Sequence, residues 1–125
     1  MIFGIGTDIV AVARMADYWQ RHGERGLEKM LAPEEREDCR ASLDPARFLA
    51  KRFAAKEALG KALGTGVRAP VLLPEIAVGH DELGKPCFSY SPKLAAHFAE
   101  RGLTAHLSIS DEQDYAVAFV ILEKP

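Results

Sequence analysis

The stretch Phe48–Leu63 constrains the fold more than any other part of the chain. Ala, Leu, Lys and Glu dominate it, and these are strong helix formers. Asp44 offers an N-cap, Pro45 suits the first helical position, and Gly64 can close the far end. At about 100° per residue, Arg52 and Lys56 fall inside the arc that holds Phe48, Leu49, Leu59 and Leu63. Glu57 falls beside Phe53, with Lys61 one turn further on. A helix with one side in water keeps its charges on that side. This one does not. Charges so placed point to something anionic or metallic lying against the helix.

The rest of the chain supplies a setting for such a helix. Its 125 residues suit a single domain, 1–125, able to bury a core without disulfides or metal staples. A net charge of −2 gives no reason to expect nucleic acid or an anionic membrane as partner. Cys39 and Cys87 stand far apart in no metal-ligand spacing and read as reduced thiols of a cytoplasmic protein. The apolar start is broken by Gly4, Gly6 and Asp8 and has no basic flank, so it does not read as a secretory signal. No apolar run nears the ~20 residues of a membrane span.

Met1–Val10 reads as a strand and Ala11–His22 as a helix, punctuated by Gly23 and Gly26. Pro33 opens another helix, with Glu34 and Glu35 in its first turn, where the helix dipole favours acids. After the central helix come a loop with Gly64, Gly66 and Pro70, then a short strand over Pro74–Gly79. His80–Pro86 reads as a turn and Cys87–Tyr90 as a further strand. Ser91 and Pro92 open a helix that Gly102 stops. Ala105–Ser110 and Tyr115–Leu122 are strands joined by the polar loop Asp111–Asp114. Helices and antiparallel strands arranged in blocks indicate the α+β class.

Three residues stand out chemically. Asp8 lies among Ile5, Ile9 and Val10, where a carboxylate is costly unless paired or bound to metal. It either caps the helix that follows or is a functional acid. Gly4 and Gly6 do not make a dinucleotide loop, since Ile9 replaces the third glycine of that fingerprint. Glu57 and Lys61, four apart, share a helix edge and could form a plain surface pair. With Asp8, however, Glu57 would suit Mg²⁺, which takes one or two carboxylates alongside water and substrate phosphates. Lys61 would then meet a phosphate as a point charge. Arg47, Lys51, Arg52 and Lys56 add positive charge, and Gly64-Thr65-Gly66 adds backbone freedom for an anion-holding loop.

In this constellation the chain resembles the bacterial holo-acyl-carrier-protein synthases, the short-type 4′-phosphopantetheinyl transferases. The resemblance rests on Gly4–Val10, on Arg52–Ala58 with Lys61, on Gly64-Thr65-Gly66 and on Asp81–Pro86. It continues through Leu107–Ser110 and Tyr115–Ala118, so the blocks follow in order along nearly the whole chain. It implies an antiparallel sheet packed with a long central helix in a homotrimer, with sites at subunit interfaces. It also implies transfer of phosphopantetheine from coenzyme A to apo-acyl-carrier protein in fatty acid biosynthesis. Asp8 and Glu57 match the family's Mg²⁺-binding acids, and Lys61 the lysine at the coenzyme A phosphates. Arg52, Gly64, Gly66 and Pro86 fall in blocks lining the coenzyme A site, and Arg14 and Arg21 on a helix that docks acidic carrier protein. Such an interface would give the helical charges a ligand to face instead of solvent or a dry core. One position departs from the pattern. Asp111 stands where many relatives have histidine, so no role of that histidine carries over. A binding module without turnover and a plain scaffold trimer are the competing readings. The first would be expected to lose one of Asp8, Glu57 and Lys61, and the second leaves the central charges unexplained.

Overall fold

The computed structural model describes residues 1–125, running β1 (Ile2–Ala11), α1 (Val12–Met30), α2 (Pro33–Ala41) and α3 (Pro45–Leu63). There follow β2 (Ile76–His80), β3 (Pro86–Tyr90), α4 (Pro92–Arg101), β4 (Thr104–Asp111) and β5 (Tyr115–Glu123). The strands form an antiparallel sheet in the order β1-β5-β4 and a separate antiparallel hairpin, β2-β3. The α+β class and the sheet packed with a central helix are as expected.

The ends of α3 follow the local chemistry. The Asp44 carboxylate accepts from the Arg47 backbone N–H at 3.1 Å, Pro45 opens the helix, and Gly64 closes it at a left-handed φ of 84°. Its length is governed by packing. Leu49, Ala50, Ala54, Ala55, Ala58, Leu59 and Ala62 are all buried. A helix with apolar positions all round is one enclosed on most sides, and α3 touches β1, β5, β4, β2, α1 and α2.

Side chains alternate across a strand, so Gly4, Gly6, Asp8 and Val10 of β1 share one face. There they join Ala116, Ala118, Val120 and Leu122 of β5, which are fully buried. The two glycines let the helix backbone sit directly on the strand. A Cβ on Gly4 would lie 2.0 Å from the Ala62 carbonyl oxygen, and one on Gly6 2.0 Å from that of Ala58. Only a residue without a side chain permits that approach. The opposite face carries Ile5, Ile9, Tyr115 and Phe119, all exposed.

One expectation needs correction here, and one open alternative closes. The first helix does not stop at His22 but continues to Met30 across a kink at Gly23 (φ 53°, ψ −135°). Glycine tolerates that conformation, and Leu27 and Met30 beyond it are buried, so burial carries the helix past a local stop signal. Asp8 does not cap it. The strand runs on to Ala11, and the N-cap position has no side-chain hydrogen bond.

Candidate functional site

The glycine contact between β1 and α3 decides where the chemistry lies. With Gly4 pressed against Ala62 and Gly6 against Ala58, Asp8 comes next along the same face, level with the middle of α3. Lys61 Nζ reaches back toward it and donates to Asp8 Oδ1 at 3.1 Å and to the Thr7 carbonyl at 2.9 Å. The expected Glu57–Lys61 edge pair is therefore not what forms, because the lysine turns to the strand instead. Glu57 lies close enough to feel both groups. Burial raises its pKa above the usual carboxylate range and the Asp8 charge raises it further, while Lys61 and Arg14 pull it back. Neither a hydrogen bond nor an ion pair links the Glu57 carboxylate to another side chain.

This donor set fits Mg²⁺. Two carboxylates that repel each other are relieved by a cation between them. No third acid, histidine or cysteine makes this a closed cage. That leaves room for water and phosphate oxygens, as Mg²⁺ prefers. Gly64 and Gly66, both at positive φ, stand one turn beyond Lys61. Their backbone can bend where an L-residue would be strained.

A second group gathers at the other end of α3. Arg47, Lys51 and Arg52 line a cavity of about 220 Å³ with Ser42, Asp44, Phe48, Val78, His80 and Ile109. Pro86 pairs with His80 across the β2-β3 hairpin, so it belongs to this end. A third region, a cavity of about 310 Å³, lies between α1 and α3 and is lined by Arg14, Arg21, Tyr18, Lys29, Met30 and Phe53 among others. Arg14 stacks over the Phe53 ring at 5.3 Å, and Arg21 pairs with Asp17 at 3.1 Å on the surface. The sequence-derived residues thus divide into three neighbourhoods along one helix.

The positive charge attributed to Lys56 and Arg52 requires correction. Lys56 is fully buried and faces a dry core. Its Nζ donates to Glu35 Oε1 at 2.6 Å and to the carbonyls of Met30 (2.9 Å) and Leu73 (3.1 Å). Burial pushes its ammonium down to about 8, with Glu35 opposing the shift. Arg52 donates to the Val78 carbonyl, lies 3.6 Å from Glu35 and stacks over Phe48 at 4.4 Å. It forms part of the cavity wall while its Nη1 is turned inward to Val78 and Glu35. Glu35, read from the sequence only as a first-turn acid of α2, is the hub. It also accepts from the backbone N–H groups of Ala32 and Val78, each at 2.9 Å, and so ties α2, α3 and β2 together.

Comparison with known proteins agrees with this arrangement. The family model described as the 4′-phosphopantetheinyl transferase superfamily matches residues 4–120. The chain belongs to that superfamily. It is 62% identical to a holo-[acyl-carrier-protein] synthase of Dechloromonas aromatica over 98% of both chains. It is 60% identical to the protein of that name from Azoarcus sp. over the same shares. The crystal structure of the Neisseria meningitidis synthase superposes with a TM-score of 0.95 at 46% identity, over 99% of this chain and 100% of that one. The synthase of Bacillus anthracis, solved in complex with coenzyme A (3′,5′-ADP), gives 0.84 at 35% identity, covering 100% and 99% of the two chains. Membership makes the chain a transferase enzyme, as the resemblance implied.

Proposed function

We propose that residues 1–125 form one phosphopantetheinyl transferase domain that moves the 4′-phosphopantetheine arm of coenzyme A onto a serine of apo-acyl-carrier protein, in the cytoplasm, in support of fatty acid biosynthesis. Adenosine 3′,5′-bisphosphate is the leaving product. The observation that carries this reading is the meeting of Asp8, Glu57 and Lys61 at the β1–α3 contact, with the glycine loop beside them. Asp8 and Glu57 would hold Mg²⁺, which when bound supplies Lewis-acid polarisation of the pyrophosphate. Lys61 exchanges Asp8 for the phosphate and stabilises the charge that develops as the bridging P–O bond breaks. The new bond forms from the serine oxygen to the same phosphorus. The serine proton leaves to water hydrogen-bonded to Asp8 or Glu57. The relatives solved with coenzyme A support the donor substrate, and the relatives' names support the acceptor.

A homotrimer belongs to the same reading. At about 1.5 Å of rise per residue, Arg47 and Glu57 stand roughly 15 Å apart along α3. The basic cavity and the carboxylate cluster of one chain therefore lie apart, and a neighbouring subunit can bring one of each together. The exposed Ile5, Ile9, Tyr115 and Phe119 give the sheet an apolar outer face suited to subunit contact. Arg52 and Pro86, at the basic cavity, and Gly64 and Gly66, at the carboxylate end, would line the coenzyme A path. Arg14 and Arg21 would dock the acidic carrier protein.

The test is incubation with coenzyme A, Mg²⁺ and apo-carrier protein, followed by intact mass measurement. The expected gain is about 340 Da on the carrier, the mass of the transferred arm in this phosphoryl-transfer chemistry, with release of adenosine 3′,5′-bisphosphate. Coenzyme A binding without any mass gain would leave only a binding module. Sedimentation equilibrium tests the assembly, and a fully active monomer would defeat it.

A further inference from the structure

Within the basic cavity the cations are already answered by carboxylates. Arg52 stands beside Glu35, and the Arg47 Nε donates to Asp44 Oδ2 at 3.3 Å. Asp111, at the end of β4, takes the remaining charge. Its Oδ2 accepts from Arg47 Nη1 at 3.1 Å, and its Oδ1 lies 3.3 Å from Lys51 Nζ. Because Glu35 is shared with Lys56, four cations meet three carboxylates, and Asp111 is the acid that offsets the charge Arg47 and Lys51 offer an anion.

The three acids differ in how firmly they are held. Glu35 is buried under four partners, namely Lys56, Arg52 and two backbone N–H groups. Asp44 is committed as the cap of α3. Asp111 has no partner except Arg47 and Lys51, and its side chain is 29% exposed. It is the one carboxylate that can leave without opening the core or uncapping a helix. Its loop would stay in place, because Arg47 also donates to the carbonyls of Glu112 (2.6 Å) and Gln113 (2.8 Å).

We infer that Asp111 is a built-in counter-ion which a phosphate must displace from Arg47 and Lys51, so that it sets the affinity of this cavity for phosphorylated nucleotides. The inference rests on the coenzyme A reading above. The displaced carboxylate moves to solvent while the phosphate takes over both cations, one oxygen on the donor freed at Arg47 Nη1 and another on Lys51 Nζ. With both anions in the cavity they would repel. The carboxylate thereby weakens ligand binding and confines it to ligands carrying enough charge to win the exchange.

The experiment is calorimetric titration of the full chain and its D111N variant with adenosine 3′,5′-bisphosphate, with adenosine as the uncharged control. Removing two half-exposed ion pairs should tighten bisphosphate binding by about 3- to 10-fold at low salt. The gain should shrink at about 0.5 M salt, where exposed charges are screened, and be absent for adenosine. Asp111→Ser should behave like Asp111→Asn, and unfolding curves of all forms should superimpose. Unchanged or weaker bisphosphate binding in both variants would overturn the inference, showing that Asp111 aligns the cations. Arg47→Ala tells the two levels apart. If it weakens binding in the parent while D111N gains nothing, only the counter-ion role falls. If it leaves the parent's affinity unchanged, the cavity is not the phosphate site and the inference falls with that assignment.

Discussion

Replacing Lys56 by Met should destabilise the protein far more than a typical helix substitution. The side chains have similar length, so the change removes charge and hydrogen bonds with little change in volume. Three hydrogen bonds end on Nζ, and both partners of the ion pair are sealed from water, Lys56 at 0% and Glu35 at 2% exposure. Breaking such a pair from one side leaves the buried Glu35 carboxylate with only Arg52, at 3.6 Å, and two backbone N–H groups to answer it, and costs about 3–5 kcal/mol. With a urea m-value of about 2 kcal/mol/M, that shifts the unfolding midpoint down by about 2 M at fixed protein concentration. Removing the acid as well, in Glu35→Leu/Lys56→Met, should not restore the loss, because Arg52 and the buried backbone N–H groups of Ala32 and Val78 then lose their acceptor. The pH dependence adds a second readout. In the folded state Lys56 titrates near 8 against an ordinary value of 10.5, so between those values the unfolded chain holds more protons. Stability contributed by this group therefore rises as pH climbs from about 8 to 10.5, and the rise should be missing in Lys56→Met. A single-variant loss below about 1 kcal/mol, or a double variant as stable as the parent, would refute the assignment of a buried pair with Glu35 as its hub.

Gly6→Ala should be costly for a residue so small. Its Cβ would meet the Ala58 carbonyl oxygen at 2.0 Å, and separating strand from helix costs about 1–3 kcal/mol; because the shift carries Asp8 away from Glu57, transfer should fall by about 10²-fold, and chemical denaturation with a rate assay would show both. Lys61→Ala should lower the transfer rate by about 10²–10³-fold, as for loss of one charge stabiliser; an unchanged rate would reduce Lys61 to a partner of Asp8. Arg14→Glu should raise KM for the carrier protein more at low salt than at high salt. A salt-independent KM would take the α1–α3 groove out of carrier docking.

Signals confined to neighbouring residues are legible in the sequence itself. Asp44, Pro45 and Gly64 bound α3 as their capping chemistry requires, and Ser91 and Gly102 do the same for α4. The disorderly charge pattern of α3 was visible too, but its cause was divided in a way no single helix reveals. Lys56 answers Glu35, 21 residues away, and that acid also looks like an ordinary first-turn residue of α2. Gly4 and Gly6 break the apolar start of the sequence without showing why, since a close backbone approach depends on which element lies opposite. Asp8 could not be separated from a helix cap until the strand was seen to continue past it. The pairing of Asp111 with Arg47 and Lys51 spans sixty positions or more and follows only from the sheet's register against α3.

The central claim is that Glu57 and Asp8 together hold the metal that transfer requires. Its most direct test is Mg²⁺ titration of Glu57→Gln, a substitution that keeps the shape of the side chain and removes its charge, read by both calorimetry and the mass gain on apo-carrier protein. The account predicts that Mg²⁺ binding weakens sharply and the mass gain disappears at parental Mg²⁺ concentrations, with the unfolding curve unchanged. Parental Mg²⁺ affinity and parental turnover in Glu57→Gln would contradict it.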